Sequence, residues 1–192
     1  MSHSVLRLAI EIDGDGGHPA AWRRAAHSPD HLLTPERVRG IAAIVENIGF
    51  TLATLDDDLV PPGRHPDPVG RIGSVERAAF VAASTSTLGI APVVSTTYAE
   101  PFHVSSQLAS IDHISAGRAG WVVGTSPAPQ AARAWGRPPV TDLPAEARDS
   151  TRVVRDLWDS WDDDAVIRDV ATSRYLDRDR LHYIDFEGAT FS

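Results

Sequence analysis

Four short, nearly uninterrupted apolar runs punctuate the chain, at residues 5–12, 50–55, 88–94 and 119–124, and a helical period follows each one. An apolar run of this length with little alternation suits a strand covered on both faces. Thr34, Pro35 and Glu36 give a cap, a first-turn proline and a first-turn acid. Val38, Ile41, Ala42, Val45 and Ile48 then recur at helical spacing until Gly49 stops the helix. Ser74 opens a second helix, with Glu76 in its first turn and Val75, Ala78, Ala79 and Ala82 on its apolar face. Pro101 opens a third, carrying Val104, Leu108 and Ile111 and ending at Ser115, Ala116 and Gly117. A fourth is expected over 144–161, with Ala147, Thr151, Val154, Trp158 and Trp161 as its stripe. From Asp162 the chain reads as acidic and irregular, with short strands expected near 183–186. Strand and helix in strict alternation predict an α/β fold with parallel strands joined by helical crossovers.

The polar residues are distributed unevenly about this pattern. Residues 13–17, 56–58, 95–97 and 125–126 all follow the carboxyl ends of the expected strands, whereas the returns at Gly49 and 115–118 are plain turns. In parallel sheets and β/α barrels ligands bind at the carboxyl ends, so the four clusters define one candidate rim. Gly14, Gly16 and Gly17 lack the dinucleotide spacing and no helix follows them directly, which reads as a loop rather than a phosphate cradle. Asp56, Asp57 and Asp58 are adjacent, and neighbours on an extended strand point to opposite faces. They suit a solvated strand end, or one carboxylate orienting a ligand's N–H groups, better than three ligands on one ion. His103 and His113 lie ten residues apart, not at the one-turn spacing of a helical metal pair. Trp121, Trp158 and Trp161 read as packing residues. Nucleophile-elbow, P-loop and zincin motifs are absent.

Composition narrows the class further. The 192 residues contain no cysteine and no lysine and carry a formal charge of −8. Disulfide, zinc–thiolate and iron–sulfur chemistry are excluded, and no basic patch marks a nucleic-acid partner. Arg7 and Glu11 interrupt the first apolar stretch, and no run reaches membrane-spanning length. A cytoplasmic protein with neither membrane nor nucleic-acid partners is expected.

Residues 101–126, PFHVSSQLASIDHISAGRAGWVVGTS, resemble a long motif of the bacterial luciferase-like flavin monooxygenases, in the branch of the nitrilotriacetate, dibenzothiophene-sulfone and long-chain-alkane enzymes. Residues 157–161, LWDSW, with Asp163, Asp164 and Ala165, and the tail 179–188 with Phe191 and Ser192, are similar to further motifs of that branch. The resemblance implies the amino-terminal half of a TIM (β/α)8 barrel, about four βα units in a single partial domain over 1–192, truncated after the fourth unit. It implies a monooxygenase that uses reduced FMN from a separate flavin reductase, with O2 as co-substrate, on a small organic substrate. It places Asp57 near the polar edge of the flavin ring, Ser95, Thr96 and Thr97 at the third strand's end, and Thr125 and Ser126 at the fourth's. Val122 stands where the family carries Asn, and Val140 and Pro144 where it carries a His and a Tyr that reach the flavin phosphate. Substrate contacts are expected from the loops 18–33 and 60–73. Two alternatives stay open: a deazaflavin-dependent oxidoreductase of the same superfamily, and an inactive half-barrel serving as an interaction module. Open edges on the first and fourth strands favour a homo-oligomer.

Overall fold

In the computed structural model, described for residues 6–12, 14–18, 20–60 and 70–188, the apolar runs become β1 (Ala9–Glu11), β2 (Leu52–Leu55), β3 (Gly89–Ser95) and β4 (Val122–Gly124). They form one sheet in the order β1-β2-β3-β4, every neighbouring pair parallel. Ala9 pairs with Leu52, Leu52 with Gly89, and Val93 with Val122. Helices α1 (Pro35–Asn47), α2 (Ser74–Ser84) and α3 (Pro101–Ser115) form the crossovers. Val5, which opens the first expected strand, and Asp13 lie outside the described residues, as do Phe191 and Ser192.

The helix-facing side of the sheet is the core. Ala53, Leu55, Leu88 and Ile90 pack against Ala42 and Val45 of α1, Ala78 and Val81 of α2, and Ile111 of α3, all buried. Each large side chain so buried contributes about 1.5–3 kcal/mol. A second cluster joins Val104 and Leu108 of α3 to Val154, with Val94 and Trp121 against it. Trp121 is thus a packing residue, and its indole N–H donates to the Val94 carbonyl at 3.1 Å.

Several expectations are corrected. The fourth long helix, α5, spans Leu143–Trp158 rather than 144–161. Trp161 lies beyond it, half-exposed, in a bridge to Leu181. A short helix, α4 (Pro129–Ala134), precedes it, with Ala131 and Ala132 buried against Tyr98. Residues read as irregular form an antiparallel hairpin, β5 (Val166–Asp169) and β6 (Arg174–Leu176). Residues 183–186 form no strand. Gly73, not Ser74, occupies the cap position of α2, and the carboxylate serving that end comes from Asp57.

Candidate functional site

Each strand hands its carboxyl end to a loop or helix whose backbone N–H groups need partners. Acidic side chains at the rim supply them. Asp57 Oδ2 accepts from Ser74 N at 2.7 Å, and its Oδ1 from Asp58 N at 2.9 Å. Glu100 accepts from Phe102 N at 3.2 Å and His103 N at 2.8 Å, capping α3. Asp58 accepts from Val60 N at 3.0 Å. The aspartate run is therefore divided by function, as the alternation of strand faces requires. Arg71 Nη1 stands 4.0 Å from both Asp56 and Asp57. Among the described residues no group of three His, Asp or Glu side chains is placed to hold a metal ion.

The residues after β3 and β4 are tied to one another. Thr96 is fully buried and donates through Oγ1 to the Gly124 carbonyl at 3.3 Å. Thr97, also fully buried, accepts from Ser126 N at 3.1 Å. Ser95 Oγ accepts from Thr97 N at 3.2 Å and stays half-buried, whereas Thr125 is exposed and Ser126 buried. Thr96, Thr97 and Ser126 thus shape the rim from inside it, Asp57 and Ser95 face the cavity above it, and Thr125 is exposed outside that lining. Strand pairing also requires small residues here. A Cβ on Gly124 would meet Val93 Cγ1 at 3.1 Å, and one on Gly120 would meet Ala91 Cβ at 3.3 Å.

A cavity of about 560 Å³ opens at this rim. Asp57 and Ser95 line it together with Tyr98, His103, Trp135 and Arg137. Tyr98 sits at a positive φ of 68°, a left-handed conformation uncommon for a bulky residue. Its buried ring stacks near Trp135, with centroids 6.5 Å apart and planes inclined at 24°. Leu59, Val60 and Val140 pack against the same cluster. Strain of this kind concentrates at functional sites. Beneath it lies Glu146 of α5, only 4% exposed. Burial pushes its carboxyl up, while the Tyr98 backbone, the Thr97 hydroxyl and the Arg137 charge hold it down. Among the described residues, its Oε2 and the Ser150 Oγ one turn on have no hydrogen-bond partner. Tyr98, Trp135, Arg137 and Glu146 were not among the sequence candidates. Tyr98 follows the polar run after β3 directly, which is the one signal that points to it.

A parallel βα array whose carboxyl ends carry such a cavity is the architecture of a β/α-barrel enzyme. The sequence profile described as luciferase-like monooxygenase matches residues 13–191, and the chain belongs to that family. It is 31% identical to N-acetyl-S-(2-succino)cysteine monooxygenase of Bacillus subtilis, over 97% of this chain and 43% of the relative. It is 38% identical to nitrilotriacetate monooxygenase component A of Aminobacter aminovorans, over 99% and 46%. It is 34% identical to dibenzothiophene-sulfone monooxygenase of Rhodococcus erythropolis, over 88% and 40%. The chain spans under half the length of these relatives. Among solved structures, a riboflavin lyase with modified FMN and its substrate riboflavin superposes with a TM-score of 0.84 at 31% identity, over 98% of this chain and 45% of that one. A long-chain alkane monooxygenase superposes at 0.85 with 24% identity, over 100% and 48%, a likeness of fold. No helix among the described residues is long and apolar enough to cross a membrane.

Proposed function

We propose that the carboxyl rim of this chain binds reduced FMN and serves a monooxygenase acting on a small organic substrate, with a separate flavin reductase as partner. The observation that carries the reading is the rim cavity, lined by four acidic residues, two serines, His103, the rings of Tyr98 and Trp135 and the Arg137 guanidinium in one space of about 560 Å³. That volume falls within the ~300–1,000 Å³ typical of small-molecule sites. The solved riboflavin lyase contains a modified FMN, and the name of the nitrilotriacetate relative, component A, sets it beside a second component. Copies of this chain associating through the edges of β1 and β4 belong to the same proposal.

The residues present fit the cofactor. Asp57, fixed by Ser74 N and Asp58 N, keeps lone pairs for a ring N–H. Ser95 offers a hydroxyl above β3, and Tyr98 and Trp135 give the ring an aromatic wall; Thr125, exposed after β4, lies outside the cavity lining. Val140 and Pro144 have no polar side chain for a phosphate, and Arg137, three residues before Val140, supplies the positive charge instead. When bound, the reduced flavin supplies the electrons for O2 activation, and the protein orients it and excludes water.

Anaerobic titration with reduced FMN and with reduced riboflavin, which lacks the phosphate, tests this. FMN is expected to bind about tenfold or more tightly than riboflavin, the worth of one hydrogen bond to a charged group. Arg137→Glu is expected to abolish that preference while changing riboflavin affinity less than about threefold. Equal affinity for the two flavins in the wild type, or a preference that survives Arg137→Glu, contradicts the assignment.

A further inference from the structure

The loop after β1 is pinned by a charged contact that the flavin reading does not use. His27 Nε2 lies 2.7 Å from Asp15 Oδ1, twelve residues back, and His27 Nδ1 lies 2.9 Å from the Ser28 carbonyl oxygen. A carbonyl oxygen only accepts, and so does a carboxylate. Both ring nitrogens therefore face acceptors, and the ring satisfies both only as an imidazolium carrying two protons. The Asp15 side chain is 8% exposed. Arg37 of α1 approaches the same Oδ1 and the Gly14 carbonyl, each at 3.5 Å. One carboxylate thus draws together the near arm of the loop, its far arm and α1, with the 3-10 turn Ala21–Arg24 enclosed between the arms. The other ionisable groups beside His27 are His31, with ring centroids 5.2 Å apart, and Asp30, which accepts from the Ser28 hydroxyl. The loop leaves the carboxyl end of β1 and runs to Leu33, close to Gly70 in the loop after β2, so it borders the sheet's carboxyl end without lining the cavity.

We propose that His27 is a positioning residue that, when protonated, latches the loop after β1 against α1 at the carboxyl end of β1, and releases it on losing that proton. Its test does not need flavin. The Ser28 carbonyl and then the Asp15 carboxylate raise the His27 pKa above its ordinary 6.5, against opposition from desolvation and Arg37. A raised histidine stabilises the latched form fully below 6.5, and that contribution is lost as pH rises through the raised value.

The test is hydrogen exchange of amides 15–18 and 20–28 in the flavin-free protein at pH 5.5 and 8.5, corrected for intrinsic rates, in wild type and in His27→Gln. Protection in the wild type is expected to fall about tenfold or more at the higher pH, as for loss of one charge-assisted hydrogen bond. His27→Gln is expected to show the low protection at both pH values. Nitrogen-15 NMR of the wild type, which needs no variant, is expected to show both His27 ring nitrogens protonated at pH 5.5. Protection independent of pH in the wild type, the wild-type pH response persisting in His27→Gln, or a ring with one proton at pH 5.5 overturns the latch. A protein that passes these tests yet fails to bind flavin would keep the latch and lose the monooxygenase reading, and the reverse outcome separates them equally.

Discussion

At the amino end of the sheet a single carboxylate, Glu46, holds the turn between α2 and β3. Its Oε1 accepts from Ser86 N, Thr87 N and Leu88 N at 2.8, 2.6 and 3.1 Å, and from Thr87 Oγ1 at 3.0 Å. The Thr87 backbone bond, the largest cause, and its neighbours lower the Glu46 pKa from 4.5 to about 2 despite opposing desolvation. A lowered carboxylate stabilises the fold above its ordinary value and loses that contribution as pH falls through the lowered one. Glu46→Gln is expected to cost about 1–3 kcal/mol at pH 7. In urea denaturation its deficit should shrink from pH 4.5 to pH 2; a deficit unchanged over that range would contradict this role. Arg118 makes the matching contact beneath β3, donating to the carbonyls of Ala82, Thr85, Leu88 and Ser115 and to Thr85 Oγ1. The end opposite the cavity is thus closed by side-chain–backbone bonds, as suits the stability face of a barrel.

Among the elements, α2 depends on a residue far from it in sequence. Asp57→Ala removes the carboxylate from Ser74 N and is expected to cost about 0.5–2 kcal/mol, as loss of a helix cap does, while also weakening flavin binding. Asp57→Asn keeps an acceptor oxygen and should retain most of the stability, with the flavin effect remaining. Thermal melting and flavin titration of the two variants separate these roles; equal melting of Asp57→Ala and wild type would contradict the cap. Caps and periods local in sequence made β2, β3 and α1 to α3 legible: Thr34 accepts from Arg37 N at 3.3 Å as its position before Pro35 suggests. The β5–β6 hairpin was not legible, because its strands are short and exposed and its left-handed positions are filled by Arg168 and Ser173 rather than glycine. α4 was hidden for a related reason, since a six-residue helix is held by packing on Tyr98 and not by its own propensity. Of the residues the strand-end rule points to, Asp57 and Ser95 line the cavity, while Thr96, Thr97, Thr125 and Ser126 do not. The rule could not tell that Thr96 and Thr97 spend their hydroxyls on β4 and α5, or that Trp135 and Arg137 return to the same cavity from α4 and just beyond it.

For the molecule as a whole, the two faces of the sheet differ in what covers them. The helix-facing side carries the buried core, whereas on β4 the neighbours Val122 and Val123, which point to opposite faces, both remain substantially exposed. β1 and β4 each have one strand neighbour among the described residues. The two ends of the sheet differ as well. One is sealed by Glu46 and Arg118; the other bears the strained Tyr98, the buried Glu146 and the cavity. Hydrogen exchange mapped with and without reduced FMN under anaerobic conditions tests directly the proposed flavin binding at this second end. Slowed exchange is expected at 57–59, 95–98 and 122–126, with no change at 46–51, 85–88 and 115–118. Protection of the latter segments, or none at the former under saturating flavin, would contradict it.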